Sequence, residues 1–172
     1  MADASEKSIG KAMIIAAWLL LLVLLTFFFN DLLDNQHNPN QNLQSRIDDQ
    51  GIREIRLLQN RAGHYVTPGE INRQEVVFLL DTGATTISIP ETVANRIGLR
   101  RGAPMRVSTA NGTIVVYNTR LESVKMGDIQ ISNVSANINP YMDGEGILMG
   151  MNVLKNLELV QRDNTLTIRQ YP

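Results

Sequence analysis

From Gly51 onward the chain is cut into short runs by turn residues, and no other feature constrains its fold as strongly. Residues 54–60 and 64–71 flank Arg61-Ala62-Gly63, and residues 75–80 follow Asn72-Arg73-Gln74. Residues 105–110 and 113–117 flank Asn111-Gly112, residues 120–126 and 129–138 flank Gly127-Asp128, and residues 158–161 and 166–169 flank Asp163-Asn164. Short runs rich in β-branched residues, bounded by Gly, Asn and Asp, read as strands joined by tight turns. Asn111-Gly112 is the strongest signal, because a type I′ turn needs positive φ at both central residues. Two stretches break the pattern. Pro90-Glu91 opens a short helix that ends at Gly98. The stretch GILMGMNVLKNL (146–157) reads as an apolar strand that breaks at Gly150 into a second short helix. Residues 51–172 are thus expected to form a mainly β domain, closed or sandwiched, with one or two short helices.

The N-terminal part reads differently. Residues 12–30, AMIIAAWLLLLVLLTFFFN, are 19 residues without a charge. As a helix they span ~28 Å, close to a ~30 Å hydrocarbon core. The run ends in bulky residues rather than the small ones a cleaved signal peptide needs. The expectation is an uncleaved transmembrane helix over 12–30, preceded by a cytoplasmic segment 1–11. Lys7 and Lys11 precede the run, while Asp31 and Asp34 follow it. By the positive-inside rule the N-terminus is placed in the cytoplasm and the rest outside, periplasmic if the cell has two membranes. Residues 31–50, rich in Asn and Gln, read as a flexible linker.

Composition narrows the function. The 172 residues carry a formal net charge of −1, so no global field points to nucleic acid. With no cysteine there is no disulfide framework, thiol nucleophile or cysteine-ligated metal. The two histidines, His37 and His64, have no local motif around them, and no metal or cofactor is expected.

Asp81 is then the residue to explain. It ends the apolar run Val76-Val77-Phe78-Leu79-Leu80, and Thr82-Gly83-Ala84-Thr85 follow it. An Asp-Thr-Gly triplet is an ordinary loop sequence, with the Asp side chain capping a turn. The surroundings narrow this, since a second apolar strand ending in glycine, Leu148-Met149-Gly150, lies about 65 residues downstream.

This combination resembles the retropepsin-like aspartic proteases, and within them the membrane-anchored bacterial single-domain branch. The resemblance covers roughly residues 63–169. It rests on Gly63-His64-Tyr65, Ile71-Asn72, the stretch from Phe78 to Thr85, Thr109-Ala110-Asn111-Gly112, Leu148-Met149-Gly150-Met151 and Leu166-Thr167-Ile168. It implies a closed β-barrel, the half-domain of an acid protease, and an endopeptidase acting on protein or peptide substrates. Asp81 is the implied catalytic residue, with Thr82, Gly83, Ala84 and Thr85 as its loop. Thr82 would bond across a dimer, and Thr85 would hold the outer carboxylate oxygen. Thr109, Ala110, Asn111 and Gly112 are the implied flap over the substrate, and Leu148, Met149 and Gly150 pack behind the Asp81 loop. Because the motif occurs once, the expected active form is a homodimer with one Asp81 from each chain. The terminal residues 169–172 are a candidate strand for pairing across that dimer. The alternative reading is a non-catalytic dimerisation or peptide-binding module on the same fold.

Overall fold

The computed structural model describes residues 2–109 and 112–172, without the side chains of residues 2–9, 12, 30, 31, 34 and 35. The chain divides into two units, residues 1–36 and 37–172. The first consists of the greater part of helix α1, Ala2–His37. Its apolar side chains are exposed, Trp18 and Phe27 each to 67%.

Among the described residues no helix is long and apolar enough to cross a membrane. This overturns the transmembrane reading of residues 12–30. It also removes the single-pass placement with the N-terminus inside and the periplasmic location that followed from it. The sequence argument counted uncharged residues, and 19 is near the minimum for a ~30 Å layer. The helix that forms is longer and takes in the charged flanks with Lys7, Lys11, Asp31 and Asp34.

The second unit is mainly β. Eleven strands form two sheets. The smaller has the order β1-β2-β11-β10, built from β1 (Ser45–Ile47), β2 (Arg53–Leu58), β10 (Glu158–Arg162) and β11 (Thr165–Gln170). The larger has the order β3-β4-β9-β5-β8-β7-β6. Its strands are β3 (Val66–Ile71), β4 (Gln74–Leu80), β5 (Ile87–Pro90), β6 (Pro104–Thr109), β7 (Gly112–Met126), β8 (Ile129–Asn139) and β9 (Gly146–Met149). Helices α2 (Glu91–Arg96) and α3 (Met151–Leu154) follow β5 and β9.

The larger sheet closes on itself because β3 also pairs with β7, Glu70 opposite Lys125 and Ile71 opposite Val124. Closure brings two backbones very close. A Cβ at Gly69 would fall 2.4 Å from the Lys125 carbonyl oxygen and 2.6 Å from the Phe78 ring, so only glycine fits there. Phe78, Ile87, Ile89, Leu121, Ile138, Ile147 and Met149 fill the core, each fully buried. The β3–β4 turn, Asn72-Arg73, has positive φ at both residues (51° and 67°), the hallmark of a type I′ hairpin.

Two segments depart from expectation. Residues 113–117 and 120–126 belong to one strand of 15 residues, β7. Asn118, which reads as a break, is paired with Asn137 on one side. On the other it exchanges bonds with Gly102 (2.7 Å) and Ala103 (3.0 Å), so it has ladder partners on both flanks. The expected linker, residues 31–50, is also structured: residues 31–37 belong to α1, and the segment after it is tied to the β domain. Asn40 is only 6% exposed, and its amide donates to the carbonyls of Leu58 (2.9 Å) and Val66 (2.7 Å) while accepting from Leu58 N–H (2.7 Å). One side chain thereby bridges β2 and β3, and β1 follows it.

Candidate active site

The Asp81 loop begins where two parallel strands end. β4 and β9 run in register from Val77 opposite Gly146 to Leu80 opposite Met149. After an exposed Gln74-Glu75, β4 is apolar on both faces, with Val76 and Phe78 buried and Val77, Leu79 and Leu80 half-buried. Beyond Leu80 the ladder continues by one bond, the Asp81 N–H to the Met149 carbonyl at 3.1 Å. The Leu80 N–H bonds the Tyr65 carbonyl at 3.0 Å. The chain then turns. Asp81 Oδ1 accepts from the Gly83 N–H (2.8 Å), and the Asp81 carbonyl accepts from the Ala84 N–H (3.2 Å). Asp81 and Ala84 are half-buried, whereas Thr82, Gly83 and Thr85 are exposed.

The loop is held from behind by the β9–α3 junction. Met151 N–H donates to the Ala84 carbonyl (2.8 Å) and Asn152 N–H to the Thr85 carbonyl (3.0 Å). These bonds require close approach at Gly150, where a Cβ would lie 2.6 Å from the Thr86 oxygen and 2.7 Å from the Ala84 oxygen. Leu148 and Met149 sit in β9, with Met149 fully buried. Leu148 and Met149 pair with Leu79 and Leu80 of β4, and Gly150 lies against the carbonyls of Ala84 and Thr86.

Two residues that sequence reading missed complete the support. Asn152 Oδ1 accepts from the Ile87 N–H (3.1 Å), and its Nδ2 donates to the Ser135 carbonyl (2.7 Å). Asn137, 5% exposed, donates to Thr86 Oγ1 (3.0 Å) and the Ile87 carbonyl (3.2 Å) and accepts from Ser88 Oγ (2.9 Å). A buried amide with its bonds made fixes geometry at little net cost. The only local signal for Asn152 was an Asn just after a strand-ending glycine. Asn137 carried none.

Among the described residues the Thr85 side chain makes no hydrogen bond to the Asp81 carboxylate; its backbone carbonyl serves the Asn152 contact instead. Thr109 and Gly112 pair at the tip of the β6–β7 hairpin, and Thr109 Oγ1 donates to the Gly112 carbonyl at 2.8 Å. Ala110 and Asn111, the remaining flap residues, lie outside the described residues. The terminal segment does not offer a free strand through Gln170, since β11 already pairs with β2 and β10. A cleft of about 620 Å³ lined by Pro39, Asn40, Leu43, Arg46, Glu54 and Thr165 contains no residue of the Asp81 loop.

A closed β-barrel with an aspartate loop at the ends of two parallel strands defines a retropepsin-like fold. Residues 67–156 match the gag-polyprotein putative aspartyl protease family, and the chain belongs to that family. The chain is similar to an uncharacterized protein in the cobV 5′ region of Sinorhizobium sp., 29% identical over 126 residues. That match takes in 71% of this chain and 54% of the relative, so the chain spans about half of the relative's length. Among solved structures it is similar to a retropepsin-like aspartic protease from Rickettsia conorii, with a TM-score of 0.56 and 21% identity. The alignment covers 75% of this chain and 95% of that one and carries the likeness of fold.

Proposed function

We propose that this chain is an aspartic endopeptidase whose active form is a homodimer, each chain supplying one Asp81. The observation that carries this reading is the holding of Asp81. Its Oδ1 is fixed by a backbone N–H, and its backbone is tied to Met149 on one side and Ala84 on the other. The carboxylate is half-buried at a loop whose next residues are exposed.

Hydrolysis of a peptide bond needs one group to take a proton from water and another to give one to the carbonyl. Two close carboxylates that share a proton do both, as is established for aspartic proteases generally. One chain has one such loop, so the second carboxylate comes from a second copy. In that arrangement Gly83 N–H orients Oδ1 and leaves Oδ2 to face the partner's carboxylate and the water. Thr82, exposed beside Asp81, bonds across the axis. The Thr85 hydroxyl, without a bond to Asp81 in the single chain, turns to the outer carboxylate oxygen once the dimer forms. The β6–β7 hairpin closes over the peptide and excludes water.

The test compares the full chain with its Asp81→Asn form on an unfolded protein substrate. Asp81-dependent cleavage is the expected result. Cleavage retained by Asp81→Asn ends the mechanism, and peptide binding without turnover by the unaltered chain favours the non-catalytic module.

A further inference from the structure

Between Glu91 and Glu122 the chain carries five arginines and no acidic residue, although its formal net charge is −1. Arg96 reaches Glu145 and Arg101 reaches Glu91. Arg100, Arg106 and Arg120 have no carboxylate partner among the described residues. The smaller sheet is different, since Arg46, Arg56 and Arg169 all converge there on Glu54. Positive charges left unneutralised on one surface repel each other, and a concave surface of one sign draws anions to it.

Such a concavity exists. Arg100, Arg101 and Arg120 line one open cavity of about 510 Å³ together with Gly102, Asn118 and Ser135, and among the described residues no acid lines it. Three segments meet there: the loop before β6, the middle of β7, and β8. Backbone bonds fix the loop to β7. Gly102 N–H donates to the Asn118 carbonyl (2.7 Å) and Asn118 N–H to the Ala103 carbonyl (3.0 Å). A Cβ at Gly102 would lie 2.8 Å from the Asn118 oxygen, so the two backbones are in direct contact. Two of the cations are held as well. Arg101 pairs with Glu91 and stacks on the Tyr117 ring, 4.8 Å from its centre. Arg120 Nε donates to Asn133 Oδ1, and its Nη2 to the Asn133 carbonyl (3.5 Å). Both partners of Arg120 are neutral, so its charge is oriented without being cancelled.

A guanidinium fork matches the oxygens of carboxylate and phosphate alike. A single carboxylate carries one charge, whereas a phosphate monoester carries about −1.5 to −2 at neutral pH and offers three strong acceptor oxygens. Two unpaired guanidiniums, with a third beside them, favour phosphate. We propose that this cavity binds a phosphate group, with Arg100 and Arg120 as its charge partners and Arg101, Asn118 and Ser135 as further donors. Binding ties the loop before β6 to β7 and β8, at the base of the β6–β7 hairpin. The site stands apart from the reading of Asp81 as a catalyst.

The full chain is titrated with inorganic phosphate by calorimetry at low ionic strength, and sedimented with phosphatidylcholine vesicles with and without phosphatidic acid. Saturable phosphate binding is expected. Arg120→Gln should weaken it about tenfold, the loss of one charge-assisted contact. Arg106→Gln removes the same charge outside the cavity and should leave binding within about twofold. Ser135 lies directly opposite Arg120 on β8, so Ser135→Asp supplies an internal partner. It should abolish phosphate binding without lowering the melting temperature. Arg120-dependent binding of inorganic phosphate identifies a soluble phosphate compound as the ligand, and dependence seen only with phosphatidic acid identifies a lipid headgroup. The proposal fails if neither binds in an Arg120-dependent way, if Arg106→Gln weakens binding as much as Arg120→Gln, or if Ser135→Asp binds like the wild type. A short polyglutamate peptide that binds more tightly than phosphate, and through Arg120, overturns it in favour of an acidic peptide. None of these readouts uses cleavage, so this site and the Asp81 mechanism stand or fall separately.

Discussion

Two carboxylates in this chain are held in opposite ways. Glu54, on β2, is 7% exposed and surrounded by cations. Its Oε2 accepts from Arg169 at 2.7 Å, and its Oε1 from Arg56 at 3.1 Å and Arg46 at 3.5 Å. The Arg169 hydrogen bond holds the Glu54 carboxyl below its usual value against the opposing pull of burial, with the Arg56 and Arg46 charges adding to it. Asp81 is half-buried, is held by one backbone N–H, and among the described residues has no ion-pair partner. A carboxylate with three guanidiniums is committed to its anion and serves the sheet. One positioned by an amide alone has its geometry fixed with no cationic partner among the described residues. Position in the fold separates the two: Glu54 lies inside a sheet, paired with Arg46 and Arg169 on either side, and Asp81 lies where a ladder ends.

Exchanging each acid for its amide tests that contrast most severely. Asp81→Asn keeps an oxygen for the Gly83 N–H, so the loop and the melting temperature should change little. Cleavage of an unfolded protein should fall by ~10²–10⁴-fold or more, the share general acid–base catalysis contributes. Glu54→Gln should do the reverse. It removes the charge from three charge-assisted bonds and should cost ~1.5–3 kcal/mol in denaturant unfolding. Cleavage per folded molecule should be kept. If Glu54→Gln instead abolished cleavage in a well-folded protein, the division of labour between the two acids would be wrong.

Gly150→Ala separates backbone support from charge. The new methyl meets the Thr86 and Ala84 carbonyls, both backbone and unable to swing away. Overpacking of this kind costs ~1–3 kcal/mol. Because the strain falls on the chain that carries Asp81, cleavage should drop more than unfolding alone explains. A variant as unstable as Glu54→Gln but with full activity per folded molecule would show that the loop tolerates displacement.

Sequence was a good guide to what repeats locally and a poor one to what bonds at a distance. The strands read well because each has its own alternation and its own turn residues. The Asp81 loop stood out because an acid after five apolar residues is locally conspicuous. Gly150 was legible as a strand end, though not as the point where two carbonyls leave no room for a side chain. Asn40, Asn137 and Asn152 were invisible as supports. Their partners lie 17 to 65 residues away, and one amide bridging two strands leaves no periodic trace. Strand β1 was missed because three residues cannot show an alternation. The reading of residues 12–30 failed for a related reason: an uncharged run measures composition, whereas the helix that forms extends well beyond it.

The gentlest way to sharpen the contrast is acid. Glu54 has a folded-state value lowered from 4.5, with Arg169 the largest cause and Arg56 and Arg46 contributing. A group with a depressed folded value binds its proton more readily when unfolded. Its stabilisation is therefore fully present above the unfolded value and is lost as pH falls through the folded one. Below about pH 4.5 the wild-type chain should lose stability more steeply than Glu54→Gln, and the two curves should converge as acid protonates Glu54. A guanidinium stays charged throughout the acid range, so the acid titration acts on the cluster through Glu54. Parallel curves for Glu54→Gln and wild type would mean that the guanidiniums around Glu54 do not stabilise its anion.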